Sequence, residues 1–332
     1  MISTCRQRTG RSKRWLIACL ALAGLVPCAA RAAEVYPNRV IKIVIPYGAG
    51  GSYDVLARII GQKIGEQMGQ QVVVDNRLGA AGRIGMEFAV KSPPDGYTLV
   101  AIGNSQVIVP SVHLNVPYDL RKDVAPVAML GTITNTLLVS PAVPAQTVPE
   151  LVALAKANPG KLLFGSGGTG GITHLAGELF KSMTRIDIVH VPFKTGSLAV
   201  TAQIGNELQI NVVNLLTSLP HINAGRLRSL GVTGVKRSPY VPAMPTLDEQ
   251  GVTGYDILEF HTLAVPAGTA PALVIRLNDE INKALASVQV RERMSQQNAE
   301  PATMTPDQTR AYVLAEQEKY ARIVKSVGIK PD

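Results

Sequence analysis

Two segments of the chain combine backbone-permissive glycines with groups able to bind or react. The first is Tyr47-Gly48-Ala49-Gly50-Gly51-Ser52-Tyr53-Asp54, which follows the apolar run Ile41–Ile45. The second is Gly165-Ser166-Gly167-Gly168-Thr169-Gly170-Gly171-Ile172-Thr173-His174, which follows Leu162-Leu163-Phe164. In each, a β-branched or bulky run ends in glycines that let the backbone turn sharply and approach a ligand closely. Each loop then feeds a helical pattern, whose N-terminal N–H groups and positive dipole end favour an anion. Two such half-sites, about 120 residues apart, predict a cleft between two lobes that closes on something small and negatively charged.

The residue types exclude several other chemistries. Gly165-x-Gly167-x-x-Gly170 has the spacing of a dinucleotide fingerprint, but the acidic residue about twenty positions on, Asp187, precedes its strand instead of ending it. A phosphate loop needs Lys-Ser/Thr after its last glycine, and none is there. A nucleophile elbow needs glycine two positions before the serine, where Ser166 has Phe164. His113, His174, His190, His221 and His261 contain no close-spaced ligand pair, so no metal and no cofactor is expected. Ser166 and Thr169 fit as hydroxyl donors to an anion, or as helix caps. His174 could donate to a ligand carboxylate or pair with Glu178 one turn on. Asp54 suits a helix dipole in any case, and could also meet an ammonium or amide group.

The elements that must position these groups alternate between strand and helix. Val40–Ile45, Val72–Val74 and Tyr97–Ile102 read as strands, the last ending in Gly103-Asn104-Ser105. Val55, Leu56, Ile59, Ile60, Ile64 and Met68 have helical period, with Ser52 as the start signal and Gly69 beyond the end. A further helix runs from Gly79–Gly82 to about Lys91. Past Val127–Gly131 a second lobe is expected from about Asn135. Its strands are Leu162–Phe164, Ile188–Val191, Leu208–Val213 and Leu227–Val232, and its helices Val148–Ala157, Ile172–Met183 and Leu198–Ile204. Ser238–Gly254 reads as a loop, Phe260–Val265 as a strand returning to the first lobe, and Ala272–Ser287 and Pro306–Val327 as helices. This order predicts an α/β protein of two lobes, each a mainly parallel sheet flanked by helices and built of βαβ units. The expected boundaries are 33–133 with 255–332 for one lobe and 134–254 for the other, with crossings near 131–137 and 254–262.

Residues 1–32 read as a secretory signal. Arg6, Arg8, Arg11, Lys13 and Arg14 precede the apolar run Trp15–Val26, and Ala30-Arg31-Ala32 predicts cleavage before Ala33. Without this segment the balance becomes 27 Lys+Arg against 24 Asp+Glu, so the formal charge falls from +9 to +3. Nothing then supports a nucleic-acid surface. Cys5, Cys19 and Cys28 all lie in the same segment, so the mature chain needs no disulfide and must be held by its core. The location expected is the periplasm.

The ordered motifs also resemble a known family. They include Tyr36-Pro37, Pro46–Asp54, Asp95-Gly96-Tyr97-Thr98-Leu99 and Gly165-Ser166-Gly167 with His174–Phe180. Val191-Pro192-Phe193-Lys194, Pro245-Thr246-Leu247 and Ala264–Thr269 complete the series, which spans essentially the whole mature chain. Together these are similar to the solute-binding proteins of tripartite tricarboxylate transporters, the Bug family of periplasmic receptors. The resemblance implies a periplasmic-binding-protein fold of type II kind, non-enzymatic, whose ligand carboxylate is held by the two glycine loops, partly through ordered water. The site residues expected are Tyr47, Gly48, Ala49, Gly50, Gly51, Ser52 and Asp54 from the first loop, and Ser105 after the third strand. From the second come Ser166, Gly167, Gly168, Thr169, Gly170, Thr173 and His174. The implied partner is a set of membrane permease subunits, or alternatively a sensor kinase, with the receptor itself a monomer; an exported hydrolase is the rival of another class. The family usually has Tyr-Lys-Gly, then Pro-Ala, then Asp, where this chain has Phe193-Lys194-Thr195, Leu198-Ala199 and Ala202. A usual Trp-x-Gly is replaced by Phe260-His261-Thr262. These departures fall on the second lobe and the hinge, where they bear on ligand identity and closure.

Overall fold

Ile41, Ile43, Val44 and Ile45 are fully buried, and the strand they form, β1 (Ile41–Ile45), sits inside a sheet. The computed structural model describes residues 1–2 and 36–331, so the segment read as a secretory signal, with its three cysteines, lies outside the described residues but for Met1 and Ile2. Arg39–Asp332 form one compact unit. After β1, α1 (Ser52–Met68) buries Leu56, Ile59, Ile60 and Ile64 on one face and ends at Gly69, whose φ of 67° stops the helix. β2 (Val72–Asn76), α2 (Arg83–Val90) and β3 (Thr98–Gly103) complete two parallel units, in the order β2-β1-β3.

A helix not anticipated from the sequence, α3 (Asn104–Val112), follows β3 directly. Its run of Val and Ile and its internal Pro110 argue against a helix locally. Burial of Val107, Ile108, Val109 and Val112 overrides that preference.

β4 (Val124–Val139) is a single 16-residue strand. Its first part, Val124–Thr134, pairs antiparallel with β9 (Leu258–Pro266), which in turn pairs with β3. From Asn135 onward its partners are β7 (Ile210–Asn214) and β8 (Arg228–Val232). The second half of the fold therefore grows from the same strand. α4 (Val148–Ala157), β5 (Leu162–Ser166), α5 (Ile172–Thr184), β6 (Ile188–Pro192) and α6 (Gly196–Ile204) lead to β7, with β5 parallel to both β6 and β7. α7 (Leu215–Asn223), also unanticipated, separates β7 from β8. The chain closes with α8 (Pro271–Ala286), α9 (Val288–Ser295), β10 (Ala299–Pro301) and the long α10 (Pro306–Ser326).

The result is a two-lobed α/β fold in which parallel units flank the antiparallel strands that pass between the lobes. At the passage Thr233 donates its N–H to the Asn135 carbonyl at 3.0 Å and accepts from the Ile257 N–H at 3.0 Å. Its hydroxyl reaches the Asn135 and Ile257 carbonyls at 3.1 and 2.6 Å. Two chain crossings are thus tied side by side. Among the described residues no helix is long and apolar enough to cross a membrane.

Candidate functional site

In parallel α/β units the helix that follows each strand starts at the strand's carboxyl end, and those ends converge on a crevice. Here the starts of α1, α3, α5 and α7 meet around one cavity of about 380 Å³, with a second compartment of about 200 Å³ beside it. The larger is lined by Gly50, Gly51, Ser52, Asn135, Thr173, Gly196, Ser197, Asn214, Thr217 and Glu259, among others. The smaller is lined by Gly168, Thr169, Gly170 and Val112, and both share Ser105, Gly167 and Gly171. Both glycine loops therefore open on the same space. A larger depression, about 720 Å³, runs along α1 and β2, but it is a shallow groove lined by Arg58, Glu66 and Gln and Val side chains, and neither glycine loop borders it.

The two glycine-loop helices differ from their neighbours at the cap. α1 and α5 begin at Gly51 and Gly171, and neither has a side-chain cap. α6 and α7 are capped by their own side chains: Thr195 Oγ1 accepts from the Leu198 N–H, and Asn214 Oδ1 from the Thr217 N–H. The first helical bonds of α1 and α5 are made by Val55 and Leu175. The N–H groups of Ser52 and Tyr53, and of Ile172 and Thr173, consequently have no acceptor within their helices. Gly51 and Ser52 at the start of α1, and Gly171, Ile172 and Thr173 at the start of α5, line the same cavity, so the positive ends of both helix dipoles border it.

Other predicted residues build the loops instead of lining the space. Asp54 does not line the cavity. Its carboxylate accepts from Arg58 Nη2 at 2.8 Å and from the Gly50 N–H at 3.0 Å. Burial pushes its carboxyl upward, but the Arg58 and Gly50 bonds outweigh that and hold it below the ordinary range. Asp54 is therefore an internal strut of the first loop. Tyr47 stacks on Tyr53 with ring centroids 4.1 Å apart and donates to Gln106 Oε1 at 2.5 Å; burial raises its hydroxyl to about 12. Gly48 and Ala49 are exposed and line neither compartment.

In the second loop three predicted side chains satisfy the loop's own backbone. Thr173 Oγ1 accepts from the Gly167 N–H at 2.9 Å, Ser166 Oγ from Gly168 at 3.2 Å, and His174 Nδ1 from Gly170 at 3.1 Å. His174 neither lines the cavity nor makes a short pair with Glu178, from which its Nε2 lies 3.9 Å away. It stacks on His190 at 3.9 Å, and burial lowers both imidazoles, His190 to about 4 with His174 as a further cause. Ser166 Oγ sits 2.7 Å from His190 Nε2, a nucleophile–base distance, but the serine is fully buried and lines neither compartment.

The sequence reading missed Asn135, Gly196, Ser197, Asn214, Thr217 and Glu259. Asn214 carried a signal: like the glycine loops, it ends an apolar strand and caps a helix. Glu259 carried a weaker one, a charge inside an otherwise apolar strand. It is 8% exposed and accepts from the Ser52 hydroxyl and, at 3.0 Å, from Asn214 Nδ2.

Uncapped helix N-termini bordering one small polar cavity in a two-lobed fold suit a receptor for a solute. The chain belongs to the tripartite tricarboxylate transporter family receptors (TctC), whose family pattern matches residues 56–329. Receptors of this family are periplasmic and bind solutes. The chain is 35% identical to the protein BugT of Bordetella pertussis over 300 residues, covering 90% of this chain and 92% of that one. Its fold superposes on the R. palustris protein Rpa4515, solved with adipate, at a TM-score of 0.81 and 32% identity, covering 90% of this chain and all of that one. The periplasmic binding protein BugD gives a TM-score of 0.78 at 27% identity over the same share of this chain and 100% of its own.

Proposed function

We propose that the chain is an exported receptor that captures a small carboxylated or amide-bearing metabolite between its lobes and delivers it to the membrane subunits of a tripartite permease. The observation that carries this reading is the pair of uncapped helix N-termini facing one cavity from opposite lobes. The ligand contacts are the first-turn N–H groups of α1 and α5 with Gly50, Gly51, Ser52, Ser105, Gly167 to Gly170 and Thr173. Each N–H bond to a carboxylate is worth about 1.5–3 kcal/mol. Three or four such bonds, less ordering costs, support micromolar binding at about 8 kcal/mol. The adipate bound by the R. palustris relative supports the ligand class.

The lobes divide near Asn135 and Ile257, where the two crossings are bonded together. The mature chain starts at Ala33, acts as a monomer, and is not an enzyme: Ser166, the one hydroxyl at bonding distance from an imidazole in the second loop, is sealed beneath it.

Gly51 provides the decisive test. Its φ of −78° suits any residue, and an added Cβ meets nothing closer than the Gly48 carbonyl at 3.8 Å. Gly51→Leu should therefore fold normally while filling the space over the first turn of α1. A thermal-shift screen of carboxylates identifies a ligand by the raised midpoint. Calorimetry should then show at least tenfold weaker binding in the variant, about 1.4 kcal/mol. Equal affinity in the two proteins would place the ligand elsewhere.

A further inference from the structure

The larger compartment carries a single formal side-chain charge, and it is negative. Among its described lining residues Glu259 alone is acidic or basic. The carboxylate sits between the lobes, held by the Ser52 hydroxyl at the start of α1 and by Asn214 Nδ2 at the cap of α7. His261 Nε2 lies 3.4 Å from Oε1. Oε1 thus has two neighbours that can donate, whereas Oε2 accepts the Asn214 bond and keeps a second lone pair. Burial pushes the carboxyl upward, but His261, Ser52 and Asn214 together hold it below the ordinary range, so Glu259 is ionised at neutral pH.

This charge changes what the cavity accepts. One carboxylate is served by the helix N-termini. A second carboxylate on the same small ligand would have to share a cavity of about 380 Å³ with Glu259, at a separation where like charges repel. A group that donates hydrogen bonds and carries positive charge complements Oε2 instead. No lysine or arginine lines the compartment, and His261, which does not line it, approaches Oε1 and leaves Oε2 to the ligand.

We propose that Glu259 selects the ligand: the receptor takes an aminocarboxylate, its carboxylate on the first-turn N–H groups of α1 and α5 and its ammonium on Glu259, and rejects dicarboxylates of equal length. This rests on the carboxylate-receptor reading above and narrows it. Glu259 also ties Ser52 to Asn214, but a purely structural tie would alter the affinity for every ligand alike. Selectivity therefore separates the two roles.

The test is calorimetry on the mature protein with two matched series: aminocarboxylates from glycine to 6-aminohexanoate, and dicarboxylates from oxalate to adipate. The best aminocarboxylate should bind at least tenfold tighter than the dicarboxylate of the same carbon number. Glu259→Gln should cut that ratio at least tenfold, chiefly by admitting the dicarboxylate. If circular dichroism shows that variant unfolded, Glu259→Asp, which keeps the charge but withdraws it by one methylene, should lower the ratio by weakening the aminocarboxylate. Equal or tighter dicarboxylate binding in the wild type, or an unchanged ratio in the folded variants, overturns the assignment and leaves the carboxylate receptor standing. Failure of every carboxylate to bind overturns both.

Discussion

Asp54 and His174 illustrate how a residue read as a ligand contact becomes part of the scaffold that aims one. Asp54 binds Arg58 and the Gly50 N–H, so it shapes the loop from behind. Its side chain is 5% exposed while that of Arg58 is 51% exposed, so the pair is only partly shielded. Replacing Asp54 with Asn should cost about 1 kcal/mol at neutral pH. The folded carboxyl titrates below its unfolded value of about 3.9. Its contribution is therefore complete above about pH 4 and disappears as pH falls through the lower, folded value. Thermal midpoints of wild type and Asp54→Asn should differ at pH 7 and converge as the pH falls through the lowered, folded value of the carboxyl. A gap that persists in acid would mean that the carboxylate charge is not what holds the loop. The sequence identified Asp54 as a helix-start acid, and that part was legible because dipole and first-turn position are local. Which partner used the carboxylate was not, because Arg58 offers itself only once the helix exists.

At the scale of elements, the junction of β3 and α3 holds the site together. Gly103 is required there because an added Cβ would fall 1.9 Å from the Tyr53 hydroxyl that lies over it. Asn104, 1% exposed, then joins four elements. Its Nδ2 donates to the Leu258 carbonyl and to the Tyr320 hydroxyl, both at 2.9 Å, and its Oδ1 accepts from the Phe260 N–H at 3.1 Å. The start of α3 is thereby bonded to β9 and α10, while Tyr53 of α1 donates to the Phe260 carbonyl at 3.1 Å. Asn104→Ala leaves at least two buried groups without partners, at about 1–3 kcal/mol each. Urea denaturation should accordingly show about 2–4 kcal/mol lost with the slope unchanged. An unaltered midpoint would indicate that water enters and replaces the amide. α3 itself escaped the sequence reading for a physical reason: Val, Ile and Pro disfavour helix locally, and only burial against α10 and β3 compensates.

For the whole molecule, the arrangement of half-sites dictates the response to ligand. On the proposed reading each lobe supplies one uncapped helix start, so a ligand that touches both binds the approached lobes better than the separated ones. It must then shift the population towards closure. The pivot we propose is the set Asn135, Thr233 and Ile257, where two chain crossings are bonded side by side. Small-angle scattering should show a smaller radius of gyration at saturating ligand. An unchanged radius would point to a rigid, preformed cavity.

The chain's local patterns, by themselves, determined the alternation of strands and helices, the two glycine loops and the position of each at a helix start. They did so because apolar periodicity and glycine punctuation act over a few residues. The family resemblance was legible for the same reason, carried by short ordered motifs. Tertiary structure alone decided that β4 runs unbroken from one lobe into the other, exchanging β9 for β7 and β8 between Thr134 and Asn135. No turn signal marks that exchange, since the strand merely changes neighbours. It likewise decided that Glu259, Asn214 and Ser52 meet, although they lie far apart in the chain. A lone charge in an apolar strand announces burial but not its partners. Only the folding of two sheets onto one shared strand brings those partners within bonding distance.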